Sequence, residues 1–154
     1  MRDMDTASSL ALGDPRLDRD HAELQRLAGQ LAQARNRDEV TAALDALARH
    51  CAAHFATEDE DLRRMQGNDD AVCHIDEHAA VLKSLDEVKA WIDRNEDVVR
   101  MVNIVQSLCA ELERWLPEHV HYMDAAVAAY RGKNRFGGVP IVFPSRSPKT
   151  NGRT

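Results

Sequence analysis

No apolar run in this 154-residue chain approaches the roughly 20 residues that span a bilayer, so a membrane protein is not expected. Cysteine is sparse and unpatterned: Cys51, Cys73 and Cys109 are odd in number, scattered and without a Cys-x-x-Cys pair. A disulfide framework is thereby disfavoured, and reduced thiols in a cytoplasmic setting are expected. A basic excess is also missing. The formal net charge is −6, which argues against nucleic acid as the main partner. The opening Met1-Arg2-Asp3-Met4-Asp5 carries two acids with no apolar stretch behind it, so a secretory signal is not expected either.

Acid is absent from one region altogether. All 26 acids precede residue 131, whereas Arg131, Lys133, Arg135, Arg146, Lys149 and Arg153 follow it. Residues 1–130 therefore carry −12 and the last 24 residues +6, and those 24 also hold three of the five prolines and four of the seven glycines. Two regions are expected: a folded domain over residues 10–130 and a non-helical, basic, Gly/Pro-containing tail over 131–154. The tail serves as a solubilising end, or its segment Val139 to Phe143 docks on the domain or on a protein partner.

What remains is helical. With 44% hydrophobic and 30% charged residues, the chain has the composition of one ordinary domain with a full core. Leu17, His21, Leu24, Leu27, Ala28 and Leu31 recur at helical period after an Asp14-Pro15 start signal. Asn36-Arg37-Asp38 breaks this helix from a second, from Asp38 to about Met65, with Val40, Leu44, Leu47, Cys51, Phe55 and Leu62 on its apolar face. Gly67-Asn68-Asp69-Asp70 offers a glycine stop and an acidic cap for a third helix reaching about Ile92. Asn95-Glu96-Asp97 opens a fourth, from Val98 to about Tyr130, which Pro117 is expected to kink. Short connections between long helices make neighbours antiparallel. The expected fold is all-α, an up-down-up-down four-helix bundle.

Each helix carries ligand-type residues on its inner face: His21, then His54 with Glu58, then His74 with His78, then His119 with Asp124. Residues four apart lie about 40° apart in azimuth and one turn apart in height, so both reach one target. Counted from the shared loops, the four clusters fall within about one to two turns of one level. Burying seven such groups together without compensation costs on the order of several kcal/mol each, and a metal compensates most simply. Imidazole with carboxylate suits borderline divalent metals and non-haem iron. His119 and Asp124 are five apart, about 140° on an ideal helix, so either the carboxylate reaches from the side, or the Pro117 kink or a π-bulge corrects the phase. His121 points elsewhere and is expected at the surface. His50, one turn before His54, is a candidate for supporting a ligand or substituting for one.

The segments Leu17-Asp18-Arg19-Asp20-His21-Ala22-Glu23-Leu24, His54-Phe55-Ala56-Thr57-Glu58-Asp59-Glu60, His74-Ile75-Asp76-Glu77-His78 and Trp115-Leu116-Pro117-Glu118-His119-Val120-His121-Tyr122-Met123-Asp124 together resemble the hemerythrin family, bacterial hemerythrins in particular. The resemblance covers about residues 10–130. It implies two irons, one held by His74, His78 and His119 and the other by His21 and His54, with Glu58 and Asp124 bridging. Five imidazoles, two bridging carboxylates and an oxo or hydroxo bridge then fill two octahedral irons except for one position on the two-histidine iron. That open position suits reversible end-on binding of O2, and Trp115, Leu116 and Val120 stand where an apolar wall of the O2 pocket is expected. The chain departs from the family in having Leu10-Ala11-Leu12-Gly13 where an aromatic often precedes the first histidine, and in its basic tail.

On this reading the protein is not an enzyme but an O2-binding diiron protein for storage, delivery or sensing. The competing class is a diiron redox enzyme with peroxidase, nitric-oxide-handling or ferroxidase activity at the same site. Oxygen-activating diiron bundles use paired Glu-x-x-His motifs, which this histidine-rich set lacks. Structural zinc is disfavoured because the donor set is too large for tetrahedral sites.

Overall fold

The computed structural model describes residues 10–65 and 70–135. The expected stop-and-cap sequence at Gly67, Asn68 and Asp69 lies outside these residues, as does Val139 to Phe143. Each helix begins where a side chain meets its free N–H groups. Asp14 accepts from the Arg16 and Leu17 amides and opens α1 (Pro15–Gln33), with Pro15 in the first turn. Just before it, Gly13 adopts φ 80°, which turns the Leu12 and Gly13 amides onto the Asp18 carboxylate at 2.7 and 3.1 Å. Asn36 caps α2 (Arg37–Arg64) through the Glu39 amide, and the Glu39 carboxylate accepts in return from the Arg35 amide. α3 runs over Asp70–Arg94, and Asp97 caps α4 (Val98–His119). Arg37 donates to the Ile92 and Asn95 carbonyls and so joins the two loops at one end of the bundle.

The four long helices pack as an antiparallel bundle, α1 against α2 and α4, and α3 against α2 and α4. No helix among the described residues is long and apolar enough to cross a membrane. Leu10, 3% exposed, joins the large core from the segment where the family often places an aromatic. Cys51 and Cys109 are buried and Cys73 is exposed; all three are free, and burial pushes the first two thiols up to about 12 and about 11.

One feature differs from the sequence expectation, at the end of the last helix. Pro117 lies inside α4, which passes into a π-helical turn over Val120–Asp124, one of the alternatives raised for the His119 and Asp124 spacing. There the Ala125 amide reaches back to the Val120 carbonyl. α5 (Ala125–Arg135) then extends the helix to Arg135, past residue 131 where the non-helical tail was expected to begin. The reason is electrostatic. Arg131 meets Asp14 at 2.8 Å and Asp61 at 3.1 Å, and Arg135 meets Asp14 at 3.3 Å, so cations one turn apart hold this turn against the starts and ends of α1 and α2.

The core is interrupted by a polar layer. A large apolar cluster includes Leu24, Phe55, Leu85, Leu116 and Val120; a small one holds Leu17, Leu62, Ala71 and Val127. Five of the seven ligand-type residues lie between the two: His21 between Leu17 and Leu24, Glu58 between Phe55 and Leu62, His74 and His78 between Ala71 and Leu85, and Asp124 between Val120 and Val127; His54 and His119 come just before Phe55 and Val120 of the large cluster.

Candidate metal centre

All seven candidate ligands are brought into this layer, each no more than 5% exposed. They form two groups whose donor atoms could each hold an ion: Glu58, His74, His78, His119 and Asp124 in one, and His21, His54 and Asp124 in the other. The nitrogen Nε2 of His119 is 3.1 Å from those of both His74 and His78. Asp124 turns Oδ1 toward His74 at 2.8 Å and His119 at 3.0 Å, and Oδ2 toward His21 at 2.9 Å. Glu58 likewise places Oε1 3.4 Å from His74 and Oε2 3.1 Å from His54. Each carboxylate therefore faces both groups.

The π turn settles the spacing of His119 and Asp124. Its wider winding brings the two residues to the same side, as the 3.0 Å contact between them records. A carboxylate reaching sideways from an α-helix is not needed.

Several buried atoms of this layer have no hydrogen-bond partner: both nitrogens of His21, both oxygens of Glu58, Nδ1 of His119 and Oδ2 of Asp124. Such orphans are costly in a dry interior unless a cation completes them. The spacing fits one. Donors bound at about 2.1 Å around an octahedral ion lie about 3.0 Å apart, against about 3.4 Å around a tetrahedral one. The 3.1 Å separations among the imidazoles match the octahedral value.

Electrostatics follow from the burial. Burial, followed by the adjacent Asp124 carboxylate, pushes Glu58 up to about 11. Burial also works against the Asp124 charge, yet the imidazoles of His119, His21 and His74 hold that carboxyl well below the usual range. Burial and then the neighbouring His74 and His119 rings push His78 down to about 2, and burial lowers His54 despite its bond to Asp20. His54 and His78 are thus held as neutral imidazoles ready to donate lone pairs.

Three carboxylates that sequence reasoning did not single out stand behind the histidines. Asp20 accepts from Nδ1 of His54 at 3.0 Å and Asp59 from Nδ1 of His78 at 2.7 Å, which fixes both rings with Nε2 toward the site. Glu77 accepts from the Trp115 indole at 2.7 Å and lies 3.7 Å from Nδ1 of His119. The signal was available: each acid is next in sequence to a candidate ligand, about 100° around the helix, where a second-layer partner stands. Trp115 stacks on His119 with ring centroids 4.2 Å apart, so it braces that imidazole. Leu116 and Val120 are buried in the large core beside it. His50 stays out of the layer: its Nε2 is 2.8 Å from the Asp20 carbonyl and its ring lies parallel to that of His54. His121 is exposed.

Residues 12–130 match the family model described as Hemerythrin HHE cation binding domain. The chain is also similar to the Bacteriohemerythrin of Ralstonia nicotianae, 31% identical over 126 residues that cover 80% of this chain and 85% of that protein. No solved structure matches it. The match spans the bundle and every residue of the polar layer, and by it the chain belongs to the hemerythrin family.

Proposed function

We propose that this protein is a non-haem diiron protein that binds O2 reversibly, for storage, delivery or sensing. One observation carries the reading: two buried carboxylates each face a three-histidine group and a two-histidine group at once. On it, His74, His78 and His119 would hold one iron and His21 and His54 the other, with Glu58 and Asp124 shared between them. Such an iron pair, when bound, would supply the two electrons that dioxygen needs.

The chain's own residues do the rest. Asp20 and Asp59 keep His54 and His78 in the tautomer that offers Nε2. Leu116, 3% exposed, and Val120, fully buried, supply an apolar wall with Trp115 and keep water from the bound gas. Trp115 also holds His119 in plane through its stack and its bond to Glu77.

The test is anaerobic loading with Fe(II), admission of O2 and then its removal, followed in the visible spectrum. A band that appears and bleaches reversibly supports the reading; irreversible passage to the diferric form overturns the carrier role. Redox turnover at the same site is the second reading. It draws support from a water-sized opening beside His54 and Glu58, a route by which protons could be exchanged with solvent.

A further inference from the structure

The opening beside His54 and Glu58 is a cavity of about 10 Å³, room for one water-sized species. Its buried side is made by those two residues and Leu17, and its more exposed side by Arg16, Asp20, Thr57, Asp61 and Arg131. Among the candidate ligands it touches only His54 and Glu58; His74, His78 and His119 are not part of it. It therefore leads to the two-histidine side, where the coordination count leaves a position free.

Its outer edge is built rather than accidental. Arg131 is held at 2.8 Å by Asp14 and at 3.1 Å by Asp61, and its side chain is only 22% exposed. Asp14 is itself buried as the cap of α1. Three helices thus meet at one guanidinium at the mouth of the cavity. Two acids, Asp20 and Asp61, line the opening, and Arg135 also meets Asp14, so without Arg131 only Arg16 on the lining would offset them. With Arg131 in place, an anion meets a balanced rim of two acids and two bases.

We propose that this opening is the entrance through which narrow, linear anions one atom wide pass end-on to the metal centre, and that Arg131 is the residue that admits them. The inference rests on the diiron reading above and adds a route and a selector to it. An entrance sets a barrier and leaves the endpoints alone. Narrowing it changes association and dissociation rates together, whereas damage to the site itself changes the equilibrium.

The experiment uses the full chain loaded with iron and oxidised, with iron content measured first and azide as the anionic probe in stopped-flow. Nitric oxide, applied to the reduced form, is the neutral probe. Thr57→Trp is expected to slow azide entry and exit equally, by about tenfold or more, with Kd unchanged. Arg131→Gln is expected to slow azide entry by about tenfold at low salt, with the loss relieved as salt rises, and to leave nitric oxide entry unchanged. Arg131→Lys restores the azide rate. Unaltered azide rates in both Thr57→Trp and Arg131→Gln, with two irons bound, overturn the entrance while leaving the diiron reading standing. A chain that takes up no iron overturns both.

Discussion

Asp59 Oδ1 lies 2.7 Å from Nδ1 of His78, although the side chain next to it in sequence, Glu58, points into the metal layer. Adjacent positions on α2 thus serve two shells: one supplies a donor atom, and the next aims a donor from α3. Asp20 does the same for His54 from α1, beside His21. Asp59→Ala is expected to weaken one of the two metal-binding steps by about 10–100-fold and to spare the other, with Asp20→Ala weakening the opposite step. Calorimetric titration of the metal-free variants reads both steps. Equal weakening of both steps by either variant would contradict the assignment.

The metal-free protein carries a cost that function imposes. Both oxygens of Glu58 are buried without a hydrogen-bond partner. Glu58→Leu is expected to stabilise the metal-free protein by about 1–3 kcal/mol in urea unfolding, because an apolar side chain replaces an unsatisfied polar one. The same variant is expected to lose two-metal binding. A destabilised metal-free variant would show that the protonated Glu58 carboxyl is satisfied by a hydrogen bond to Asp124.

Metal uptake is expected to release a proton. Glu58, pushed up to about 11, is protonated at pH 7 and must give up that proton to serve as a carboxylate ligand. His78, pushed down to about 2, and Asp124, held low, have none to give. About one proton per chain is therefore expected at neutral pH from Glu58, with affinity rising as pH rises. Calorimetry in buffers of different ionisation enthalpy counts it. A count of zero would place Glu58 in its charged form before metal arrives.

Asp14 links the start of the bundle to its last helix. Burial raises its carboxyl, but the hydrogen bond from Arg131, the Leu17 amide and the Arg131 charge together hold it below the usual range. A carboxyl with a depressed folded pKa contributes stability above its unfolded pKa of about 4, and that stability is lost as pH falls through the folded value. Asp14→Ala is expected to cost about 1–2 kcal/mol at pH 7, mostly as a lost cap. The gap to the parent narrows in strong acid, and urea unfolding at pH 7 and pH 3 measures it. A gap of equal size at both pH values would leave the loss to packing alone.

The bundle was legible because its helices are long and their apolar faces strongly periodic. Observed boundaries such as Pro15–Gln33 and Arg37–Arg64 fall within a residue or two of those that caps and periodicity indicate. The gathering of ligand-type residues in one layer was legible for the same reason, since height in a bundle follows from counting along helices. The π turn was legible only as one of three alternatives, beside a carboxylate reaching sideways and a kink at Pro117. Spacing alone shows that His119 and Asp124 are out of α phase, not whether backbone or side chain makes up the difference. The extension of the last helix to Arg135 was missed because composition marked residue 131 as a boundary. The ion pairs that hold Arg131 and Arg135 reach Asp14 and Asp61, far away in sequence. Trp115 was read as a pocket wall, while its stack on His119 and bond to Glu77 depend on ring orientation, which no spacing encodes.

The most direct measurement is an anaerobic titration of the metal-free chain with Fe(II), counting bound iron per chain in the parent and in Asp124→Ala. Two irons in the parent, with cooperative binding lost in the variant, are expected from a carboxylate that faces both histidine groups. A plateau at one iron, or two irons bound unchanged without Asp124, would contradict a bridged pair.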